Sequence, residues 1–320
     1  MSQDFEHRPV MVDEVVDLFG SVPPGVLLDA TAGGAGHARA LLGAHPQITV
    51  VALDRDPDAV AAATEALAPF AERATVVHAR FDKLAEVLAE RGITSLSGAF
   101  FDLGVSSPQL DRPERGFSYH HEAPLDMRMD TTAPKTAADV VNTWDRDALA
   151  RLFAQHGEGR FARRIAQRIV AARPLSTTTQ LADVVKEAIP AATRRTGGHP
   201  ARRVFQAVRV AVNDELDILA ETIDTALALL APGGRLAVLA YHSGEDRIVK
   251  DRLRQAETGG CICPPGLPCV CGATPQVRLL WRGAHKPSAA EIADNRRAES
   301  ARLRAVEKLP PDHTTDVAAE

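Results

Sequence analysis

Asp29-Ala-Thr-Ala-Gly-Gly-Ala-Gly-His37 and, after the next apolar run, Ala52-Leu-Asp-Arg-Asp-Pro57 decide the fold. Val26-Leu-Leu28 reads as a short apolar strand that feeds the glycine turn, and a helical run from His37 to Leu42 leaves it. Glycines at such a turn let the backbone approach a ligand at a helix N-terminus. Asp54 follows about 20 residues after the turn, where folds of this kind place an acid on ribose hydroxyls. The turn lacks a full Gly-x-Gly-x-x-Gly, and no Lys-Ser/Thr follows it. A phosphate-cradling loop is therefore disfavoured. A nucleoside cofactor without phosphates, S-adenosylmethionine, fits better.

Working outward, further strands are expected at Ile48–Leu53, Thr75–His78 and Gly98–Asp102, with helices at Pro57–Phe70 and Lys83–Arg91. This alternation predicts an α/β protein with a doubly wound, Rossmann-like parallel sheet. From Pro108 to about Pro200 no strand pattern is evident. Helical stretches are read instead at Arg146–His156, Arg160–Ala172 and Thr179–Ile189, then a long amphipathic helix over about Ala201–Leu230. The strand pattern resumes at Arg235–Tyr241. The expected organisation is a discontinuous core, 1–110 with 212–308, an all-helical insertion at 111–211, and a frayed tail at 309–320. An insertion after a strand's C-terminal end is expected to cover the ligand crevice.

The chain has 320 residues and a formal net charge of −5, with 45% hydrophobic and 25% charged residues, as in a folded globular protein. No apolar stretch is long enough to span a membrane, and the polar, acidic N-terminus is no signal peptide, so the cytoplasm is expected. The mean charge hides an asymmetry. Residues 111–211 carry 17 Lys+Arg against 11 Asp+Glu, and the remainder is correspondingly acidic. The bias sharpens over 160–209, with 11 basic and two acidic residues. A basic segment inside an acidic protein predicts a polyanion surface. Arg160, Arg163, Arg164 and Arg168 recur at helical spacing, and Arg194, Arg195, Arg202 and Arg203 flank a Gly-Gly turn. Aromatic content is only 4%, so RNA shape and one base drawn into a pocket are the expected mode of recognition.

Candidate reacting groups follow the fourth strand, in Asp102-Leu-Gly-Val-Ser-Ser-Pro-Gln109. This run is similar to the Asp/Ser-Pro-Pro-aromatic loop of amino-methyltransferases, with Gln109 in place of the second Pro. An exocyclic amine of cytosine or adenine is a poor nucleophile, because its lone pair is delocalised into the ring. Oxygen acceptors at Asp102, Ser106, Ser107 or Pro108 would favour a pyramidal nitrogen, so positioning and electrostatics would supply most of the rate. Asp126 and His242 are further candidates to hold the base or accept its proton. Their competing roles are a salt bridge from Asp126 to Arg128 and a His–carboxylate pair from His242 to Glu245 or Asp246.

Beyond these runs the chain carries His7-Arg-Pro-Val-Met-Val-Asp-Glu14, Arg115-Gly-Phe-Ser-Tyr119, Pro124-Leu-Asp-Met-Arg-Met-Asp130, a run from His199 to Arg209, Val212-Asn-Asp-Glu-Leu216 and His242-Ser-Gly-Glu-Asp-Arg-Ile-Val-Lys250. With the glycine turn and the Asp102–Gln109 run, these resemble the bacterial small-subunit (16S) ribosomal RNA cytosine-N4 methyltransferase family (RsmH, formerly MraW), over roughly His7 to Lys308. The resemblance implies a class I S-adenosylmethionine-dependent methyltransferase core with a helical insertion. It also implies N4-methylation of one cytidine in the decoding region, with the small ribosomal subunit as partner. Carried over by position, the cofactor contacts would be Gly33, Ala35, Gly36, His37, Asp54, Phe81, Asp102 and Gln109. The chain departs from the family pattern at Ala35, where a Gly is usual and the turn is expected to shift, and at Gly244 and Glu299. Two other readings stay open: a DNA amino-methyltransferase, and a non-catalytic ribosome-assembly factor that binds S-adenosylmethionine. Oligomeric state is not readable from the residues, and a homodimer is one option.

All four cysteines lie in Cys261-Ile-Cys263-Pro-Pro-Gly-Leu-Pro-Cys269-Val-Cys271. Two Cys-x-Cys pairs around a Pro/Gly turn offer four thiolates to a structural zinc ion, although the usual spacing within a pair is about two to four residues. A disulfide is less expected in the cytoplasm.

Overall fold

The computed structural model describes residues 9–191, 199–264 and 269–311. The chain divides into two compact units, Met1–Gly104 with Ile218–Glu320, and Val105–Asp217. The division lies a few residues outside the expected 111–211. Val105 and Leu110 pack on the apolar core of the second unit, so the loop after the fourth strand belongs with that unit.

The first unit is built on a seven-stranded sheet. Its strands are β1 (Gly25–Asp29), β2 (Ile48–Asp54), β3 (Ala74–His78), β4 (Leu96–Asp102), β5 (Leu230–Ala240), β6 (Val277–Leu279) and β7 (Arg302–Lys308), in the order β3-β2-β1-β4-β5-β7-β6. β7 pairs antiparallel with both β5 and β6, and the other pairs are parallel. This is the class I methyltransferase order. The chain reverses its winding between β1 and β4, which leaves a crevice at their carboxyl ends. Burial on both faces explains the near-continuous apolar composition of β2 and β4. β6 and β7 were not expected from the sequence.

Helices α1 (Val12–Phe19), α2 (Gly36–Ala44), α3 (Pro57–Leu67) and α4 (Leu84–Glu90) belong to this unit. Phe19 of α1 meets Phe100 of β4 edge-to-face at 6.5 Å. A side chain at Gly98 would stand 2.7 Å from the Phe19 ring, so only glycine lets α1 pack this closely on β4. Asp56 caps α3 by accepting from Asp58 N–H at 3.1 Å, with Pro57 in the first turn.

The second unit is helical: α5 (Ser107–Asp111), α6 (Ala137–Thr143), α7 (Arg146–Phe153), α8 (Ala162–Ala172), α9 (Thr178–Ala188) and α10 (Ala201–Asn213). α7 ends earlier than expected, in a wide turn over Ala154–Glu158 where Gly157 takes a φ of 90°. The single long helix expected over Ala201–Leu230 is two, α10 and α11 (Leu219–Leu229), the latter in the first unit. Asp214 adopts the left-handed conformation (φ 51°) and ends α10.

The break has a structural cause. Asn213 is buried, accepts from Met129 N–H at 2.8 Å, and donates to Met127 C=O at 2.8 Å and Arg209 C=O at 2.9 Å. Arg209 and Glu215 form a bidentate pair at 2.9 and 2.8 Å across the turn. Arg115, also buried, donates to the carbonyls of Arg128 and Met129 at 3.0 Å. The irregular segment from Pro124 to Asp130 thus has part of its backbone satisfied by side chains distant in sequence, and part by backbone partners such as Ser176 and Arg115. Asn213→Ala orphans Met129 N–H and Met127 C=O, each worth about 1–3 kcal/mol when buried, so a loss of about 3 kcal/mol is expected in denaturant unfolding. A loss below about 0.5 kcal/mol would refute this role.

Candidate functional site: an acidic strand edge

Three aspartates end three adjacent strands: Asp29 on β1, Asp54 on β2 and Asp102 on β4. Each is held by groups of the first unit. Asp54 Oδ2 accepts from Gly33 N–H at 2.7 Å and Oδ1 from Asp56 N–H at 2.8 Å, so this carboxylate fixes the glycine turn. Asp102 Oδ1 accepts from the Tyr241 hydroxyl at 2.8 Å, and Oδ2 lies 3.6 Å from His37 Nδ1. The Asp102 backbone N–H donates to Thr31 Oγ1 at 2.6 Å. Asp29 is buried and accepts from Thr31 N–H at 3.2 Å.

Crowding like charges at one edge shifts their proton affinities. Burial pushes the Asp29 carboxyl up to about 7; the Thr31 N–H opposes the shift, and the charges of Asp102 and Asp54 add to it. Burial likewise raises Asp54, against the pull of the backbone amides that it accepts. The Tyr241 hydroxyl is pushed well above its ordinary value, by burial first and then by Asp102, so it stays a donor.

The turn is shaped for close approach. Gly33 takes a φ of +52°, and a side chain built at Gly33 or Gly34 would meet nothing within 4 Å, so this stretch of backbone is open. Gly36 is required for another reason: a Cβ there would stand 2.4 Å from Pro9. Ala35, where the family pattern has Gly, keeps the backbone that a glycine would favour. It takes the left-handed conformation itself (φ 59°) and is fully buried, at a strain of about 1 kcal/mol relative to glycine.

His37 is buried in the first turn of α2, with Nε2 at 2.9 Å from Val10 C=O and its ring 4.7 Å from Phe100. Its Nδ1 faces the Asp102 carboxylate at 3.6 Å, beyond hydrogen-bond distance. Phe81 follows β3 and meets Phe101 edge-on at 6.1 Å. An acidic edge beside an open glycine turn suits a ligand that carries a ribose and positive charge. S-adenosylmethionine, with its sulfonium and ammonium groups, fits this donor set.

His242 caps α12 (Ser243–Thr258). Its Nδ1 accepts from the backbone amides of Gly244 (3.1 Å) and Glu245 (3.3 Å), and its Nε2 lies 3.0 Å from Glu245 Oε1. The His–carboxylate pairing weighed from the sequence is the one formed.

In the second unit, Asp126 forms a bidentate pair with Arg128 at 2.8 and 2.7 Å. Burial raises the Asp126 carboxyl, but the Arg128 hydrogen bonds and charge outweigh it and hold the group below the usual range. Ser106, Ser107 and Pro108 open α5, where Gln109 is buried and its Oε1 accepts from Ser106 N–H at 3.0 Å. Arg163, Arg164 and Arg168 are exposed on α8, opposite Ile165, Ala166 and Ile169. Arg160 lies against the Phe161 ring. Arg202 is exposed, whereas Arg203 donates to Gly157 C=O at 3.2 Å and lies 3.5 Å from Glu158. Arg194 and Arg195 lie outside the described residues.

Sequence reading missed Asp29 as a site residue, although it quoted the position, and it missed Thr31 and Tyr241. The available signal was position, since each stands at or just beyond the carboxyl end of a strand. It also missed the stack of Tyr119 on His199, whose ring centroids lie 4.4 Å apart at 12°.

Residues 4–309 match the MraW methylase family. The chain belongs to that family. It is 53% identical over 317 residues to the ribosomal RNA small subunit methyltransferase H of Frankia alni, covering 96% of each chain. It is 50% identical over 311 residues to the protein of the same name from Symbiobacterium thermophilum, covering 95% of this chain and 97% of that one. Among solved structures, an rRNA methylase from Streptococcus thermophilus superposes with a TM-score of 0.42 at 12% identity, covering 93% of this chain and 94% of that one. With its family and fold established, this chain is an S-adenosylmethionine-dependent methyltransferase. Among the described residues no helix is long and apolar enough to cross a membrane.

Asp29 gives this methylase a pH signature. A carboxyl raised from 3.8 to about 7 binds its proton more tightly in the folded state. Its ionisation therefore lowers stability progressively as pH rises from about 4 to about 7, and the penalty is constant above that. Each tenfold gain in proton affinity corresponds to ~1.4 kcal/mol. Asp29→Asn is therefore expected to stabilise the cofactor-free protein by a few kcal/mol at pH ~8 and by only about 1 kcal/mol near pH ~4.5. Denaturant unfolding at both pH values tests this, and an equal effect at both would show that Asp29 is not the group responsible.

Proposed function

We propose that this methylase transfers a methyl group to N4 of a cytidine in the decoding region of small-subunit ribosomal RNA. The observation that carries the reading is Asp102. It ends β4 at the acidic edge, where its side chain accepts from the Tyr241 hydroxyl, and the chain runs directly from it into Val105-Ser-Ser-Pro-Gln109. The names of the relatives support ribosomal RNA of the small subunit as the substrate class.

When bound, S-adenosylmethionine supplies an electrophilic methyl group. The protein's task is to make the cytosine amine a competent nucleophile. The Asp102 carboxylate, as an oxygen acceptor, holds an amine N–H bond and favours a pyramidal nitrogen. A quaternised amine is strongly acidic, so its proton needs only a nearby carbonyl, hydroxyl or water. Asp126 and His242 are poor choices as the base: one is held ionised by Arg128, and the other spends its Nδ1 lone pair on backbone amides. Asp126 therefore acts in this reading as a brace for the Pro124–Asp130 segment, and His242 as a helix cap.

Mass spectrometry of nucleosides tests the assignment, using small subunits that lack the modification, this protein and methyl-labelled S-adenosylmethionine. Labelled N4-methylcytidine, or its 2′-O-methylated form, is expected. Asp102→Ala is expected to lower transfer on the order of 100-fold or more and to weaken cofactor binding. Cofactor binding without any label on RNA would favour the ribosome-assembly reading, and label on DNA alone the DNA amino-methyltransferase.

Recognition of RNA is assigned to the basic face of the second unit, with Arg160, Arg163, Arg164, Arg168, Arg202 and Arg203 as its described members. No ion pair engages Arg163, Arg164 or Arg168 among the described residues, so these charges are available to phosphates. Replacing Arg163 and Arg164 together by Glu should weaken subunit binding and make its log–log salt dependence shallower by about two, with cofactor affinity unchanged. An unaltered salt slope would exclude this face.

A further inference from the structure

We propose that Cys261, Cys263, Cys269 and Cys271 bind one zinc ion that folds the loop between α12 and β6. This site stands apart from the methyl-transfer chemistry. The four thiols are free, and their sulfurs all lie within 4.8 Å of one another. The separations are 3.5 Å for Cys261–Cys269, 3.5 Å for Cys269–Cys271 and 3.6 Å for Cys271–Cys261. Zn–S bonds of about 2.3 Å at tetrahedral angles place sulfurs about 3.8 Å apart, so one ion fits with small adjustments.

The surroundings favour thiolates. Val270 N–H donates to Cys263 Sγ at 3.4 Å. The backbone amides of Ile262 and Ala273 reach Cys271, and that of Cys263 reaches Cys261. Such N–H···S bonds disperse the charge of a dication held by four thiolates, a site of net charge −2. Binding releases the thiol protons to solvent and involves no redox step.

Among the described residues of the loop, few other groups hold it. Ile262 and Val270, the central residues of the two Cys-x-Cys pairs, are each 88% exposed. Elsewhere in the described residues large apolar side chains are buried or partly covered, Val170 at 37% being the one other exposed example. A loop whose apolar side chains point into water while its sulfurs converge gains its order from the sulfurs. Its base is already set: Gly260 N–H donates to Gln255 C=O at 3.0 Å, and Gln276 N–H to Ala256 C=O at 2.9 Å. Gly259 takes a φ of +62° and approaches so near that a Cβ there would stand 2.3 Å from Thr274 C=O. The ion would close the loop above this neck, as structural zinc does where a segment lacks a core of its own.

The test uses the full chain purified under reducing conditions. Zinc alone is added, the excess removed and the bound metal measured by elemental analysis. One zinc per chain is expected, and cobalt(II) in its place should give the thiolate charge-transfer and visible bands of a tetrahedral four-sulfur site. Cys269→Ser with Cys271→Ser should lose the metal while still binding S-adenosylmethionine, which shows that the core is folded. Chelator-treated protein should be cut by protease between residues 259 and 276, and zinc-loaded protein should resist. Less than about 0.2 zinc per reduced chain would overturn the proposal. So would retention of zinc by the double variant, or an intact mass showing that the cysteines of the native protein are paired as disulfides.

Discussion

Asp29, Asp54 and Asp102 stand at the ends of three neighbouring strands, and three carboxylates this close repel one another. Repulsion and burial together would unravel the edge unless each oxygen found a partner. The partners found shape the site. Gly33 N–H and Asp56 N–H serve Asp54, Thr31 N–H serves Asp29, and the Tyr241 hydroxyl serves Asp102. Satisfying Asp54 requires the turn to bring Gly33 N–H inward, which is why Gly33 and Ala35 both take left-handed backbone. Satisfying Asp102 requires β5 to lie beside β4, so that Tyr241, just beyond the end of β5, comes within reach. The sheet order and the charge at its edge are thus one constraint. A cationic cofactor relieves the repulsion that remains, and part of its binding free energy comes from that relief.

The second unit solves a different problem. The segment from Pro124 to Asp130 belongs to no helix or named strand, and backbone partners such as Ser176 and Arg115 satisfy only part of it. The Asn213 and Arg115 side chains reach in from elsewhere in the unit and take up further amides and carbonyls. Asp126 and Arg128 neutralise each other within the segment itself. A run that reads as catalytic because it mixes carboxylates, arginine and methionine is therefore a packed polar brace. Met127 and Met129 face the core, and Arg128 between them closes a local ion pair with Asp126.

The parallel part of the sheet was legible because both-face burial writes itself as unbroken apolar runs, and because turns and strand ends carry glycine and aspartate. β7 was not legible. Its Arg302-Leu-Arg-Ala-Val-Glu-Lys308 mixes charges that pair across the edge, Arg235 and Arg278 both with Glu307, and such a strand resembles a solvated helix face. The break between α10 and α11 was hidden for a related reason. Helical periodicity continues through Asn213 and Asp214, and only the demand of a distant backbone for the Asn213 amide stops the helix. Of the site, the groups on the turn and on β2 and β4 were readable by position. Tyr241 was not, because its partner Asp102 lies 139 residues away and strand order alone brings them together.

The same logic separates chemistry from support at the site. Asp126 and His242 have the right functional groups for a general base, yet each is already committed. A base must offer a lone pair near neutral pH. Arg128 holds Asp126 ionised but fully hydrogen-bonded, and the amides at the start of α12 occupy the Nδ1 lone pair of His242. Freeing either would break a structural element, the Pro124–Asp130 brace in one case and a helix cap in the other. Methylation of an amine does not demand that sacrifice. The attacking nitrogen gains positive charge as the bond forms, so its proton becomes more acidic at the moment it must leave. The scarce resource is then orientation of the amine lone pair, and orientation comes from fixed oxygen acceptors on a rigid strand end. On the proposed reading, this is why the strongest polar constraints of the first unit converge on Asp102 and its neighbours while no free imidazole is kept in reserve at His37 or His242.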